Sequence, residues 1–300
     1  MTHAPDQLVA AVAEAAAVVR ATWAKRPRAA IILGTGLGSL AEHITIEAEW
    51  SYRDLPHFAR STADGHRGRL LAGRLADVPI LAMDGRFHAY EGYSFSQITF
   101  PVRVFAELGA SFLIVSNASG GLNPTLRSGD ILLIDNHINL MGIAGSRPAE
   151  SRKPMADGRQ FSTSSQHQRV SFYDDALCLL AQQIAAEEQI TLRRGIYIAM
   201  LGPNYETRAE YRWLRSLGDV VGMSTVPEVT VAREVGLPIV AFSMVTNVFR
   251  PDVEQQTTSE QVVAAASNSE PNLRRIVTRL LERSSYEPIS SSRSPGASPS

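Results

Sequence analysis

Short apolar, β-branched runs alternate with stretches of helical spacing along most of this chain, and that alternation limits the fold more than any other feature. The strand-like runs are Ala29 to Leu33, Ile80 to Met83, Phe112 to Ser116, Ile131 to Asn139, Gly195 to Met200 and Pro238 to Thr246. Helical spacing predicts Asp6 to Trp23, with Asp6 as N-cap and an apolar face of Leu8, Val9, Val12, Ala15, Val18, Val19 and Trp23. Further helices are predicted over Ser94 to Leu108, Ser171 to Glu188, a segment ending at Leu217, and Thr258 to Ser284. Pro101 predicts a kink in the second helix or a start nearer Thr99. Ile44, Ile46, Ala48 and Trp50 alternate with polar residues, as in a half-buried strand, and residues 69–76 and 78–84 read as a hairpin around Asp77. The expected fold is α/β: a single domain, residues 1–284, with a central mixed β-sheet flanked by helices. The Ser/Pro-rich residues 285–300 read as a disordered tail, and 142–170 as a long loop.

Composition narrows the function classes. A hydrophobic share of 44% and a charged share of 20% are those of a soluble globule. The net charge of −1 gives no footprint for nucleic acid, so any phosphate recognition is local. No run is long and apolar enough for a membrane span, and no secretory leader is apparent, so a cytoplasmic protein is expected. The one cysteine, Cys178, sits among apolar residues and reads as core.

The chemistry gathers where strands end. Ala29–Leu33 runs into Gly34, Gly36 and Gly38, a turn whose N–H groups can form an anion nest with the hydroxyl of Thr35. His66 lies in a polar, glycine-rich loop, residues 61–68. Arg86, His88 and Tyr90 alternate after the strand at 80–83, so an extended chain turns all three to one side. A guanidinium fork matches phosphate geometry, and an imidazole adds a donor. Phe112–Ser116 repeats the strand-then-glycine pattern, with the N–H of Ala118 able to face an anion. Glu206 lies before a helix, where it either stabilises that N-terminus or meets a ligand. Thr225 and Glu228 have capping-box spacing, with Pro227 in the first turn, and the dipole of that helix points at Ser224. Glu206 and Asn247 suit a heterocycle with donors and acceptors; Tyr90, Tyr205 and Met223 suit a sugar or ring face. No Ser–His–Asp order and no metal-ligand spacing is present, which leaves phosphate itself as the nucleophile, with no metal or cofactor.

Gly34–Gly38, Gly65–Arg69, Gly85–Gly92, Thr99–Arg103, Asn117–Pro124, Asp135–Asn139, Gly202–Thr207, Val221–Val229 and Thr246–Asn247 together closely resemble the trimeric purine nucleoside phosphorylase family. The resemblance covers about residues 25 to 282. It implies purine salvage by reversible phosphorolysis of inosine, guanosine and xanthosine, and of the deoxynucleosides, to free base and pentose 1-phosphate. By the same resemblance Thr35, His66, Arg86, His88, Ala118 and Ser224 hold phosphate, and Tyr90 and Met223 meet the ribose. Tyr205 lies against the base, Glu206 bonds its pyrimidine edge and Asn247 contacts N7; His88, Glu206 and Asn247 are the catalytic set. A homotrimer is implied. The Asn247 amide favours a 6-oxopurine, whereas the related methylthioadenosine phosphorylases carry acids in the base site.

Two departures stand out. The family histidine near the ribose 5′-hydroxyl has no counterpart in Thr257–Val262, which predicts weaker ribose contacts, and Phe161 aligns poorly with the aromatic residue that a neighbouring subunit lends. Two other readings compete with this one. A dinucleotide-dependent oxidoreductase fails because only Ser39 to His43 separate the glycines from the next strand, too few for a crossover. A non-catalytic nucleoside-binding protein is told apart by phosphate-dependent release of hypoxanthine.

Overall fold

The computed structural model describes residues 5–34, 37–62, 67–142, 171–250 and 259–286. Its described strands form one mixed sheet: β1 (Ala29–Leu33), β2 (Thr45–Ser51), β3 (Arg69–Leu75), β4 (Val78–Asp84), β5 (Phe112–Gly121), β6 (Ile131–Asn139), β7 (Leu192–Ala199), β8 (Val220–Gly222) and β9 (Ile239–Val248). The order is β2-β3-β4-β1-β5-β8-β7-β6-β9, and β9 also pairs with β5. The strands β5, β8, β7, β6 and β9 therefore close on themselves, while β1, β4, β3 and β2 extend as an open wing. The expected α/β single domain with a central mixed sheet is what the chain forms.

β5 is the hinge of this arrangement. Along one side it pairs in parallel with β9 from Leu113 to Gly121. Along the other it pairs with β1 only at Phe112–Val115, and with β8 only at Gly120 and Gly121. Residues 116–119 thus lie where the sheet splits, the kind of switch point at which α/β sheets bind ligands.

The helices are α1 (Pro5–Thr22), α2 (Phe95–Glu107), α3 (Asp175–Glu187), α4 (Arg208–Leu214), α5 (Val226–Glu234) and α6 (Ser259–Arg283). α1 packs on α2 and α2 on α5; α3 packs on α6, which lies against β9. β1 is buried at every position, as a strand covered on both faces should be.

Several local expectations change. Asp6 lies in the first turn of α1 rather than capping it, and Val9 is 70% exposed because the buried face runs through Val12, Ala15, Ala16 and Val19. β2 is an edge strand; Ile46 is exposed, and only Trp50 within it is buried, so it is not half-buried. α2 starts at Phe95, not near Thr99, because Ser94 and Gln97 form a capping box, and the helix continues across Pro101. The glycines after Ser116 do not open a loop: pairing with β9 carries β5 on through Gly121. α3 begins later than expected, capped by Asp174. The hairpin forms as expected, with Ala76 and Asp77 both at positive φ. Cys178 is buried, and burial pushes its thiol up to about 12. The loop segment 143–170 with Phe161, residues 251–258 with Thr257, and residues 287–300 lie outside the described residues. No described helix is long and apolar enough to cross a membrane.

Candidate active site

The split in the sheet opens a cleft of about 140 Å³. Arg86, His88 and Tyr90 line it after β4; Asn117, Ala118, Ser119 and Gly120 come from β5. Met223 and Ser224 follow β8, and Thr246 and Asn247 end β9. The segment before α4 adds Tyr205 and Glu206, and α4 adds Tyr211. Nine of the residues singled out from sequence, Arg86, His88, Tyr90, Ala118, Tyr205, Glu206, Met223, Ser224 and Asn247, share this one cleft. Thr35 and His66 lie outside the described residues.

Arg86 brings a buried cation to the cleft. Arg86 is 1% exposed. Its guanidinium donates to the carbonyl of Ser116 and to Thr225 Oγ1 at 3.2 Å, and it pairs with Glu228 Oε1 at 3.5 Å. An isolated buried cation is costly, so Glu228 makes this placement tolerable. Gly34 is not among the described glycines at positive φ; its role is space. A Cβ there would meet Ser116 O at 2.3 Å and Arg86 Nη2 at 2.5 Å. Thr225 and Glu228 do not form the expected capping box, because Thr225 has φ +72° and both side chains turn to Arg86. Pro227 does stand in the first turn of α5.

His88 is held from behind. Its Nδ1 lies 3.0 Å from Glu91 Oε1, and its backbone N–H donates to the same oxygen at 2.7 Å. Glu91 also accepts from the N–H and hydroxyl of Thr62. Burial opposes ionisation of Glu91, but these hydrogen bonds outweigh it and bring the carboxyl down to about 2. Chain direction differs from the expected extended run: residues 89–91 form a 3-10 turn. Tyr90 reaches the cleft all the same, stacked on His88 with ring centroids 4.7 Å apart.

Glu206 and Asn247 bring a carboxyl and an amide to the same cleft. Burial raises the pKa of Glu206, while a hydrogen bond from Tyr211 favours the carboxylate. Tyr211 is itself braced by stacking on Phe249, centroids 4.3 Å apart. Glu206 is not the cap of α4; Thr207 and Glu210 form that capping box. The hydroxyl of Thr246 lies 3.1 Å from both Ser119 O and Asn247 Oδ1, fixing the Asn247 amide. Gly202 has φ +73°, and a Cβ there would meet Met223 Sδ at 2.4 Å and Tyr90 at 3.1 Å. Among the described residues, no group of three or more His, Cys, Asp and Glu could hold a metal ion.

Sequence reasoning passed over Asn117, Ser119, Thr246, Tyr211 and Glu91 as site residues. Asn117 and Thr246 each adjoin a residue that was chosen, so adjacency was the available signal. Tyr211 sits on a helix face, where spacing alone cannot separate a wall residue from a core residue.

Residues 28–282 match the family model described as the phosphorylase superfamily. The chain is 40% identical over 268 residues to purine nucleoside phosphorylase 1 of Bacillus subtilis, covering 89% of this chain and 96% of that protein. It is 43% identical over 260 residues to the purine nucleoside phosphorylase of Mus musculus, covering 86% and 89% of the two chains. The purine nucleoside phosphorylase of Saccharomyces cerevisiae is 39% identical over 229 residues, covering 74% and 72%.

Proposed function

On the premise that this chain belongs to the phosphorylase superfamily and stands with its purine nucleoside phosphorylases, we propose that its cleft catalyses phosphorolysis of 6-oxopurine nucleosides. The chain is a pentosyltransferase of purine salvage. Phosphate is the co-substrate, and the products are free base and pentose 1-phosphate; the reaction requires no cofactor or metal. One observation carries the reading: a buried arginine, His88, Ser224, a carboxyl and an amide all line one cleft.

The chemistry follows from that set of groups. Breaking the glycosidic bond leaves an oxocarbenium-like sugar and an anionic purine. Phosphate held by Arg86, His88, Ser224 and the N–H of Ala118, with Thr35 and His66, lies beneath C1′, where it stabilises the cation and attacks it. Positioning of this kind can supply ~7–11 kcal/mol of a barrier. Asn247 bonds the departing base at N7, and that bond strengthens as charge develops. Glu206 accepts from the pyrimidine edge, Tyr205 covers the ring, and Tyr90 and Met223 face the ribose. An amide at 247 tolerates a 6-oxo group, so inosine, guanosine and xanthosine are preferred to adenosine.

The domain spans residues 1–284, with 285–300 as a tail, and the chain works in the cytoplasm as a homotrimer. Exposed Leu201, Tyr205 and Trp213, on the stretch that supplies Glu206 and Tyr211, support a subunit contact beside the cleft. The test is release of hypoxanthine from inosine, with and without phosphate. Phosphate-dependent release supports the reading, and binding without turnover refutes it. A panel of guanosine, xanthosine and adenosine then tests the 6-oxo preference.

A further inference from the structure

A row of hydrogen bonds runs along the wall of the cleft and ends at Ser224. Ser119 Oγ and Ser243 Oγ are 2.6 Å apart, and Ser243 Oγ is 2.6 Å from Asn117 Oδ1. Asn117 Nδ2 is 2.8 Å from Thr225 Oγ1, and Thr225 Oγ1 is 3.3 Å from Ser224 Oγ. Each of these residues is buried.

The protons can be placed by elementary accounting. The carbonyl oxygen of Asn117 only accepts, so Ser243 donates to it and takes its other bond from Ser119. The amide nitrogen of Asn117 and the guanidinium of Arg86 only donate, and both point at Thr225 Oγ1. Its two lone pairs are then taken, so the hydroxyl proton of Thr225 goes to Ser224 Oγ. Ser224 accepts on that side; Tyr197, whose hydroxyl oxygen takes the Ser224 N–H and bonds its side chain, can supply a second proton to Ser224 Oγ, which leaves the Ser224 proton for the cleft it lines. The row therefore has one direction, from Ser119 to Ser224, and neighbouring bonds in such a chain polarise one another. Thr225 is also a β-branched residue at φ +72°, a conformation that persists only where its surroundings fix it and that gathers at functional sites.

We infer that Thr225, oriented by Asn117, is a positioning residue for phosphate: it anchors Arg86 and turns Ser224 into a committed donor. This rests on the reading that Arg86 and Ser224 bind phosphate. The experiment is steady-state inosine phosphorolysis with phosphate and inosine varied in turn, each variant first checked for folding by thermal melting. Thr225→Val keeps the branched shape without the hydroxyl and is expected to raise the phosphate KM about tenfold, with the inosine KM nearly unchanged. Thr225→Ser restores the hydroxyl and is expected to restore phosphate KM to within about twofold. Asn117→Leu, which removes the donor to Thr225 without adding charge, is expected to raise phosphate KM several-fold and serves should Thr225→Val not fold. Ser224→Ala separates the two levels: an unchanged phosphate KM there overturns the phosphate reading and this inference with it. A raised phosphate KM in Ser224→Ala, with Thr225→Val or Asn117→Leu behaving as the parent chain, overturns the inference alone.

Discussion

An ideal Cβ on Gly34 would lie 2.3 Å from the carbonyl of Ser116 and 2.5 Å from the Arg86 guanidinium, so a methyl group there must push one of them away. Neither is a free end: the carbonyl belongs to β5, and Arg86 is buried. Gly34→Ala is expected to cost about 1–3 kcal/mol in urea unfolding and to raise the phosphate KM, because Arg86 moves; an unchanged midpoint and KM would refute the packing argument. Asn247 lines the same cleft. If its bond to N7 grows with the charge on the base, Asn247→Ala lowers kcat for inosine by roughly 10²–10³. The phosphate KM should stay within a few-fold, and a phosphate KM that rises in parallel with the loss of kcat would mean that the amide serves the fold instead.

Elements show where local rules held and where they gave way. The β3–β4 hairpin was legible because two apolar runs flank a two-residue break. Its turn is nevertheless strained, with φ +51° at Ala76 and +59° at Asp77, the twist that Asn-Gly adopts with ease. Replacing Ala76-Asp77 by Asn-Gly is expected to stabilise the chain by ~1 kcal/mol without changing turnover, read from the urea midpoint and the inosine assay. β5 went the other way. Asn117–Gly121 looks like a glycine loop in isolation, yet pairing with β9 holds it as strand to its last residue. The Thr225–Glu228 spacing likewise predicts a cap, but Arg86, 139 residues earlier, claims the hydroxyl of Thr225. In each case a partner distant in sequence outweighed a local preference.

At the scale of the molecule, the closed set of strands makes stability depend on pH. His137 sits on β6 inside that set, with Nδ1 3.1 Å from the hydroxyl of Tyr173, and burial lowers its pKa to about 4. The unfolded chain takes up this proton near its ordinary value of 6.5, the folded chain near 4. Between those values the unfolded state binds more protons, so stability rises with pH and falls as pH is lowered through the window. His137→Gln is expected to flatten the pH dependence of the urea midpoint between pH 6.5 and 4, by the order of 2 kcal/mol at the acid end. Steepening of that dependence would contradict the assignment.

The sequence by itself determined most of the strands and helices, and that polar residues gather where strands end. Both are local matters: apolar period decides the element, and a strand that stops at its ligand-facing edge leaves its last side chains there. Only the tertiary structure decided that β5 leaves β1 for β8, that β9 returns to close the strands on themselves, and that Gly34 is small to admit Arg86. Those outcomes are set by ladder hydrogen bonds and buried charge between residues far apart in the chain, whose energies no short window of residues contains.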